Sequence, residues 1–228
     1  MDKETLKKKA GYIAASFIQN GMTVGLGTGS TAKYFIEKII ERVKTEDLKT
    51  YVVASSNKSL EQAKNGGLCT VDINTIDSID ITVDGADEID SKKRMIKGGG
   101  GALLREKIVA SMSKEMIVIV DETKVVPFLG YHKLPIEVTP FANYVTLRRI
   151  QKLGVLADFR KKDNTDEYFI TDNGNYIIDI KFASPLENPE KQDALIREIP
   201  GVVETGFFFH LAGRVIIAFA DGQVIVKH

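Results

Sequence analysis

Met22-Thr-Val-Gly-Leu-Gly-Thr-Gly-Ser-Thr31, running on into Ala32-Lys-Tyr-Phe-Ile-Glu-Lys-Ile-Ile40, is the stretch that decides the fold class. Met22 to Leu26 reads as a strand. Phe35, Ile36, Ile39 and Ile40 recur at helical spacing and read as one face of a helix. Between them, Gly25-Leu-Gly27-Thr28-Gly29-Ser30-Thr31 forms a glycine-rich turn that opens onto the helix start. A strand leaving through such a turn into a helix is a building unit of α/β folds.

The same alternation extends on both sides. Leu6, Ala10, Ile13 and Phe17 mark a preceding amphipathic helix that stops at Asn20-Gly21. Downstream, Tyr51 to Ala54 reads as a strand, and a short helix closes at Asn65-Gly66-Gly67. Ile79 to Val83 and Met116 to Val120 read as further strands, with a helix from Ala102 to Met112 between them. In that helix Leu104, Ile108 and Met112 fall at i, i+4 and i+8 and are expected to share the buried stripe. At about 100° per residue, Glu106 is then expected to point away from it. Strands alternating with helices imply a doubly wound, mainly parallel sheet covered on both faces.

The pattern changes after about Gly130. Leu134 to Val138 is an expected strand, Asn143 to Leu153 a helix, and Val155 to Ile180 a run of short strands. Asn173-Gly174 within that run is a hairpin signal. A helix from Pro189 to Ile199 follows, stopped by Pro200-Gly201. Val215 to Phe219 and Val224 to Val226 flank Asp221-Gly222 as a second hairpin, expected to return to the first sheet. The division this suggests is an α/β domain of residues 1–130 plus 206–228, and a smaller α+β domain of residues 131–205.

The composition narrows the function classes. Of 228 residues, 43% are apolar and 27% charged, the balance of an ordinary globular protein with a substantial core. Thirty-one basic residues cancel 31 acidic ones, so no charge excess argues for nucleic acid or a membrane surface. The opening Met1-Asp-Lys-Glu-Thr-Leu-Lys-Lys-Lys9 has no apolar stretch behind its charges, so no signal peptide is expected, nor is any apolar run long enough to span a bilayer. Cys69 is the only cysteine, which excludes an internal disulfide and a Cys-based zinc site and favours the cytoplasm. His132, His210 and His228 show no metal-ligand spacing and are expected to be structural or exposed. Acid–base chemistry therefore falls to Asp, Glu and Lys.

Four motifs could carry that chemistry. The turn Thr28-Gly29-Ser30-Thr31 offers helix-start N–H groups, the positive end of the macrodipole and hydroxyl donors, a combination that suits a phosphate. A dinucleotide is disfavoured, because the sixth position is Ser30 and the second strand ends Ala54-Ser55-Ser56-Asn57 without an acid. No Gly-Lys precedes Ser or Thr, as a nucleotide P-loop requires. A merely structural turn stays open.

Asp84-Gly85-Ala86-Asp87-Glu88-Ile89-Asp90 follows the strand Ile79 to Val83, where open α/β sheets place ligands. Asp84 and Asp87 are the functional candidates; Glu88 and Asp90 read as a solvated acidic turn. A metal site is a minor alternative, since the spacing is not that of a calcium loop and no histidine assists. Lys97-Gly98-Gly99-Gly100-Gly101-Ala102-Leu103-Leu104-Arg105-Glu106 sets a cation before a glycine run and a carboxylate after it, suiting an anionic, oxygen-rich ligand. A tight loop with a solvated Glu106 is the plainer alternative. Asp121-Glu122-Thr123-Lys124 also follows a strand, and Lys124 could reach a phosphate or sugar oxygen. All four motifs fall at the same edge of the expected sheet, which favours one active site.

Together these segments resemble ribose-5-phosphate isomerase of the A type. The resemblance rests on Gly25-Leu-Gly-Thr-Gly-Ser-Thr-Ala32, Asp84-Gly-Ala-Asp-Glu-Ile-Asp90, Ile96-Lys-Gly-Gly-Gly-Gly-Ala-Leu-Leu-Arg-Glu-Lys107, Val120-Asp-Glu-Thr-Lys124 and Leu134-Pro-Ile-Glu-Val138, in the family's order. One departure is Glu204-Thr205-Gly206-Phe207-Phe208, where the family usually shows Asn-Gly-Leu-Phe. The resemblance implies a Rossmann-like catalytic domain and a ferredoxin-like small domain. It also implies interconversion of ribose 5-phosphate and ribulose 5-phosphate with no metal or redox cofactor, by a homodimer or homotetramer. Carried over by motif, Glu106 is the proton-transfer base. Thr28, Gly29, Ser30, Thr31, Asp84, Gly85, Ala86, Asp87, Lys97, Gly98, Gly99, Gly100 and Lys124 are the substrate contacts. Asp84 is also the expected ring-opening group, and Lys97 the enediolate stabiliser. Two rivals remain: a non-catalytic sugar-phosphate-binding regulator, and acyl transfer to coenzyme A with a glutamate nucleophile.

Overall fold

The computed structural model describes residues 1–228. In chain order the elements begin with α1 (Lys3–Ser16), β1 (Thr23–Leu26), α2 (Ser30–Thr45), β2 (Tyr51–Ala54), α3 (Asn57–Gly66) and β3 (Cys69–Thr70). Next come β4 (Ile79–Asp84), β5 (Glu88–Ile89), β6 (Met95–Ile96), α4 (Leu103–Ser111) and β7 (Ser113–Asp121). Then follow β8 (Leu134–Val138), α5 (Asn143–Gln151), β9 (Leu156–Phe159), β10 (Tyr176–Lys181) and α6 (Pro189–Arg197). The chain ends with β11 (Val202–Thr205), β12 (Phe207–Phe208), β13 (Ala212–Ala218) and β14 (Val224–Lys227). No helix is long and apolar enough to cross a membrane.

Two compact units result. Unit 1 is Met1–Ala86, Arg105–Val125 and His210–His228; unit 2 is Asp87–Leu104 and Val126–Phe209. Residues 87–104, which the sequence pattern grouped with the first domain, cluster with unit 2 because β5 and β6 form a small antiparallel sheet with β12.

Unit 1 is a seven-stranded sheet in the order β14-β13-β7-β4-β1-β2-β3. All neighbours run parallel except the closing pair β13–β14, the expected tail hairpin, in which Val215 opposes Lys227. From β1 the chain winds outward through β2 and β3, then returns to add β4 on the opposite side. That reversal is the topological switch point where such sheets open a crevice. Ile117, Val118, Ile119 and Val120 are all buried, the near-continuous apolar run of a strand covered on both faces. Phe35, Ile36 and Ile39 of α2 pack with Val24, Leu26, Val83, Ile117 and Ile119, each contributing about 1.5–3 kcal/mol of burial. Asp2 caps α1 by accepting from Thr5 N at 2.9 Å.

In α4 the expected phase is wrong. The buried face is Leu103, Glu106, Val109 and Ala110; Ile108 is 44% exposed, and Leu104 and Met112 are only half-buried. Gly25 explains the docking. A Cβ there would come within 2.8 Å of Val109 Cγ1 and overlap Thr82, so the glycine lets α4 close onto β1 and β4.

Unit 2 has a four-stranded antiparallel sheet, β11-β8-β10-β9. Its alternate residues Leu134, Ile136, Val138, Ile178 and Ile180 pack with Ile150 of α5 and Ile196 of α6. Asn173-Gly174 does turn the chain, with Gly174 at φ 78 and Thr171 N donating to Asn175 O at 2.9 Å. Buried Glu137 ties this hairpin down, its Oε1 accepting from Thr171 Oγ1 and Asn173 Nδ2 at 3.0 Å and from Asn175 Nδ2 at 2.9 Å.

Candidate active site

In unit 1 the candidate residues gather where β1 and β4 end. β1 stops at Leu26 and α2 begins at Ser30, with Gly29 as cap residue at φ 109, a conformation other residues rarely adopt. No side chain caps this helix, while Gly29 and Ser30 are exposed and Thr28 and Thr31 half-buried. A helix start left open in this way presents N–H donors and two kinds of hydroxyl to an anion.

Asp84, the last residue of β4, is 1% exposed. Its Oδ1 accepts from Thr28 N at 3.0 Å and Gly85 N at 2.7 Å. A Cβ on Gly27 would overlap the Asp84 carboxyl group, so the glycine is what lets loop and carboxylate approach. Beside them, a Cβ on Gly85 would reach the Thr31 side chain at 4.0 Å. Asp84 and Gly85 therefore lie directly against the Thr28–Thr31 turn.

Glu106 joins them through α4. It is 4% exposed and lies three residues before Val109, on the face packed against β1 and β4. A helix between two parallel strands runs opposite to them, so one turn back from Val109 is about 4.5 Å nearer the strands' carboxyl ends. Burial on the sheet side replaces the outward direction expected from the helical phase and leaves no room for the solvated alternative. Lys124 sits in a short turn after β7, half-buried, where Asp121 accepts from Thr123 N at 2.9 Å.

Unit 2 holds the remaining candidates. Lys97 is 3% exposed, its Nζ 5.3 Å from the centroid of the Phe208 ring and its backbone N donating to Gly206 O at 2.9 Å. Asp87 Oδ2 accepts from Gly99 N at 2.8 Å, and a Cβ on Gly99 would sit 2.7 Å from Asp87 Oδ1. Gly98 takes φ 97 and Gly101 φ 81. Gly99 and Gly100 are exposed and border a cavity of about 1420 Å³ within this unit.

Two acids expected in solvent are buried. Glu88 is fully buried and accepts from Gly130 N at 2.7 Å and from His132 N. Asp90 is 5% exposed and pairs with Arg94 at 2.7 Å. Both brace loops, because a buried carboxylate needs donors. The three histidines are exposed, as expected. No group of three or more His, Cys, Asp or Glu is placed to hold a metal ion.

Sequence reasoning missed the serines behind the phosphate-type loop. Ser55 Oγ lies 2.8 Å from Thr28 Oγ1 and donates to Leu26 O at 3.0 Å, while Ser59 Oγ donates to Gly27 O at 2.7 Å. The signal was present in Ser55-Ser56 after the second strand, which the sequence reading used only to argue against a dinucleotide.

Comparisons with known proteins converge on one family. A family model described as ribose 5-phosphate isomerase A (phosphoriboisomerase A) matches residues 51–222. A ribose-5-phosphate isomerase A of Protochlamydia amoebophila is 48% identical over 217 residues, 95% of this chain and 93% of that protein. Among solved structures, ribose 5-phosphate isomerase from Plasmodium falciparum aligns with TM-score 0.93 at 36% identity, covering 99% of this chain and 98% of that one. A D-ribose-5-phosphate isomerase in complex with phospho-erythronic acid aligns with TM-score 0.95 at 37% identity, covering 100% of both chains.

Proposed function

The chain belongs to the ribose 5-phosphate isomerase A family, and on that premise we propose how its own residues interconvert ribose 5-phosphate and ribulose 5-phosphate. It is an enzyme, an intramolecular aldose–ketose isomerase, and its substrate is a sugar phosphate. The observation that carries the assignment of residues is the burial of Glu106 on the sheet side of α4, toward the strand ends that hold Asp84 and Thr28.

The Thr28–Thr31 turn receives the phosphate on the open start of α2, with Lys124 adding a point charge. Asp84, held by two backbone N–H groups, opens the furanose ring by moving a proton between the anomeric hydroxyl and the ring oxygen. Glu106 then takes the proton from C2 and returns it to C1, while the O2 proton is exchanged for one on O1. Between these transfers the sugar is an enediolate. We assign Lys97 and the Gly100 N–H to that charge, with Asp87 fixing the glycine run through the Gly99 N–H; each well-placed donor is worth about 3 kcal/mol. A positioned base contributes about 10²–10⁴-fold.

We place the protein in the cytoplasm as a homodimer or homotetramer. Exposed Phe128, Tyr131 and Phe141 support self-association, and light scattering reads the state. For the reaction, incubation with ribose 5-phosphate in deuterated water is the test. Deuterium at C1 of ribulose 5-phosphate is expected. Unlabelled product would mean transfer from C2 to C1 without exchange, either as hydride or as a proton kept on a base closed to solvent, and no product at all would leave a sugar-phosphate regulator.

A further inference from the structure

Within unit 2 the glycine run is gripped from behind by Arg160, the residue after β9. Its side chain is 15% exposed. Nε donates to Asp179 Oδ2 at 3.0 Å and Nη2 to Oδ1 at 2.5 Å, a two-pronged carboxylate pair that fixes the guanidinium plane. Nη1 faces the other way and donates to Gly98 O and Gly99 O, both at 3.0 Å. Arg160 N donates to Ile177 O at 2.8 Å, anchoring it to β10. Phe169 N donates to Arg160 O at 2.9 Å, and the Phe169 ring lies 5.7 Å from the guanidinium. That ring fills the space a side chain on Gly101 would need. The next two cations do nothing comparable: Lys161 and Lys162 pair with Asp166 and Glu167 in solvent.

A trans peptide carries its C=O and N–H on opposite sides. Turning the Gly98 and Gly99 carbonyls onto Arg160 therefore turns the Gly99 and Gly100 N–H groups away from it. The Gly99 N–H meets Asp87; the Gly100 N–H is aimed by the same constraint. Within the run, Gly101 N donates to Gly98 O at 2.9 Å, which leaves the Gly99 carbonyl to Arg160; four glycines in a row have no side chains to add to that hold. We propose that Arg160 is a positioning residue for the isomerisation, clamping two carbonyls so that the amide between Gly99 and Gly100 points at the enediolate oxygens. The proposal rests on the reading of Gly98–Gly100 as substrate contacts.

Arg160→Met keeps most of the packing stem and removes the clamp. Arg160→Lys keeps the charge but has no fork to serve Asp179 and two carbonyls together. Asp179→Asn weakens the clamp from its far side. For each, kcat, KM, inhibition by phospho-erythronic acid and inhibition by inorganic phosphate are measured on folded protein. The carboxylate of phospho-erythronic acid offers oxygens like those of the enediolate, whereas phosphate probes only the anion turn. In Arg160→Met, kcat and phospho-erythronic acid inhibition are each expected to fall about 30- to 100-fold, the cost of a misplaced group, with phosphate inhibition unchanged. The other two variants are expected to lose less, in the same direction, and decide the matter if Arg160→Met does not fold. A lowered melting temperature with unchanged kcat and unchanged phospho-erythronic acid inhibition would overturn the proposal. Lys97→Met and Asp87→Asn, run alongside, separate the two levels. If they lose turnover while Arg160 variants do not, the clamp alone is wrong. If all keep wild-type turnover, the assignment of the glycine run falls and takes the clamp with it.

Discussion

The two edges of the unit 1 sheet treat their acids differently. At the amino ends, Asp80 meets Lys114 at 2.7 Å, and Glu115 grips Arg214 through two bonds of 2.5 and 2.6 Å, with the guanidinium 4.1 Å over the Phe17 ring. Their side chains stay 31% and 28% exposed. The Lys114 ammonium and the Thr23 N–H hold Asp80 below the usual carboxylate range, and the Arg214 guanidinium does the same for Glu115. At the carboxyl ends, Asp84 and Glu106 are nearly sealed from solvent, and Asp84 is held by loop N–H groups across a contact only Gly27 permits. Ion pairs at the wet edge stabilise the fold. On the proposed function, the acids set into the dry edge, beside an open helix start, serve a ligand.

This contrast predicts a gradient of effects. Glu106→Gln should lower kcat by about 10²–10⁴ with KM little changed, in a coupled isomerase assay. Turnover near wild type would remove it as the base. Asp84→Asn should cost about 10²-fold, less with a substrate analogue that cannot close a ring, and an equal loss on both would assign it a binding role. Lys97→Ala should lower kcat by about 10²-fold and thermal stability comparatively little. A collapse in melting temperature at unchanged kcat/KM would make it structural. At the other edge, Glu115→Gln should leave kcat alone and cost about 1 kcal/mol of stability in urea titration. The sign with pH follows from its depressed folded pKa: the stabilisation is present above the ordinary glutamate range and is lost as pH falls through the lowered value. Between neutral pH and that range, the variant's deficit should be constant, then shrink in acid. A deficit growing in acid would contradict the pairing.

The alternation of strand and helix, the glycine turn and the hairpins were legible because they are local patterns. The phase of α4 was not. Leu103, Leu104, Ile108, Val109, Ala110 and Met112 leave apolar residues on every side, so periodicity alone chose the wrong stripe and turned Glu106 outward. What settles the phase is Gly25 on another element, which lets Val109 dock. Strands β5, β6 and β12 have two residues each, too short for any period, and they exist because distant segments pair. Glu88 and Asp90 looked like a solvated turn for the same reason: their partners Gly130, His132 and Arg94 come from loops whose course no composition rule fixes. Motif identity singled out Asp84, Asp87, Lys97 and Glu106 as candidates. The groups that hold the loops in place, Ser55, Ser59 and Arg160, have no motif of their own.

One side-by-side measurement bears most directly on the difference between the edges. Ribose 5-phosphate carrying deuterium at C2 is given to Glu106→Gln and to Glu115→Gln, and loss of the label to water is followed by NMR. The wet-edge variant should release the label at the wild-type rate, and the dry-edge variant about 10²–10⁴ times more slowly while still binding the sugar phosphate. Equal rates in the two variants, or a slow Glu115→Gln beside a fast Glu106→Gln, would contradict the assignment of proton transfer to Glu106.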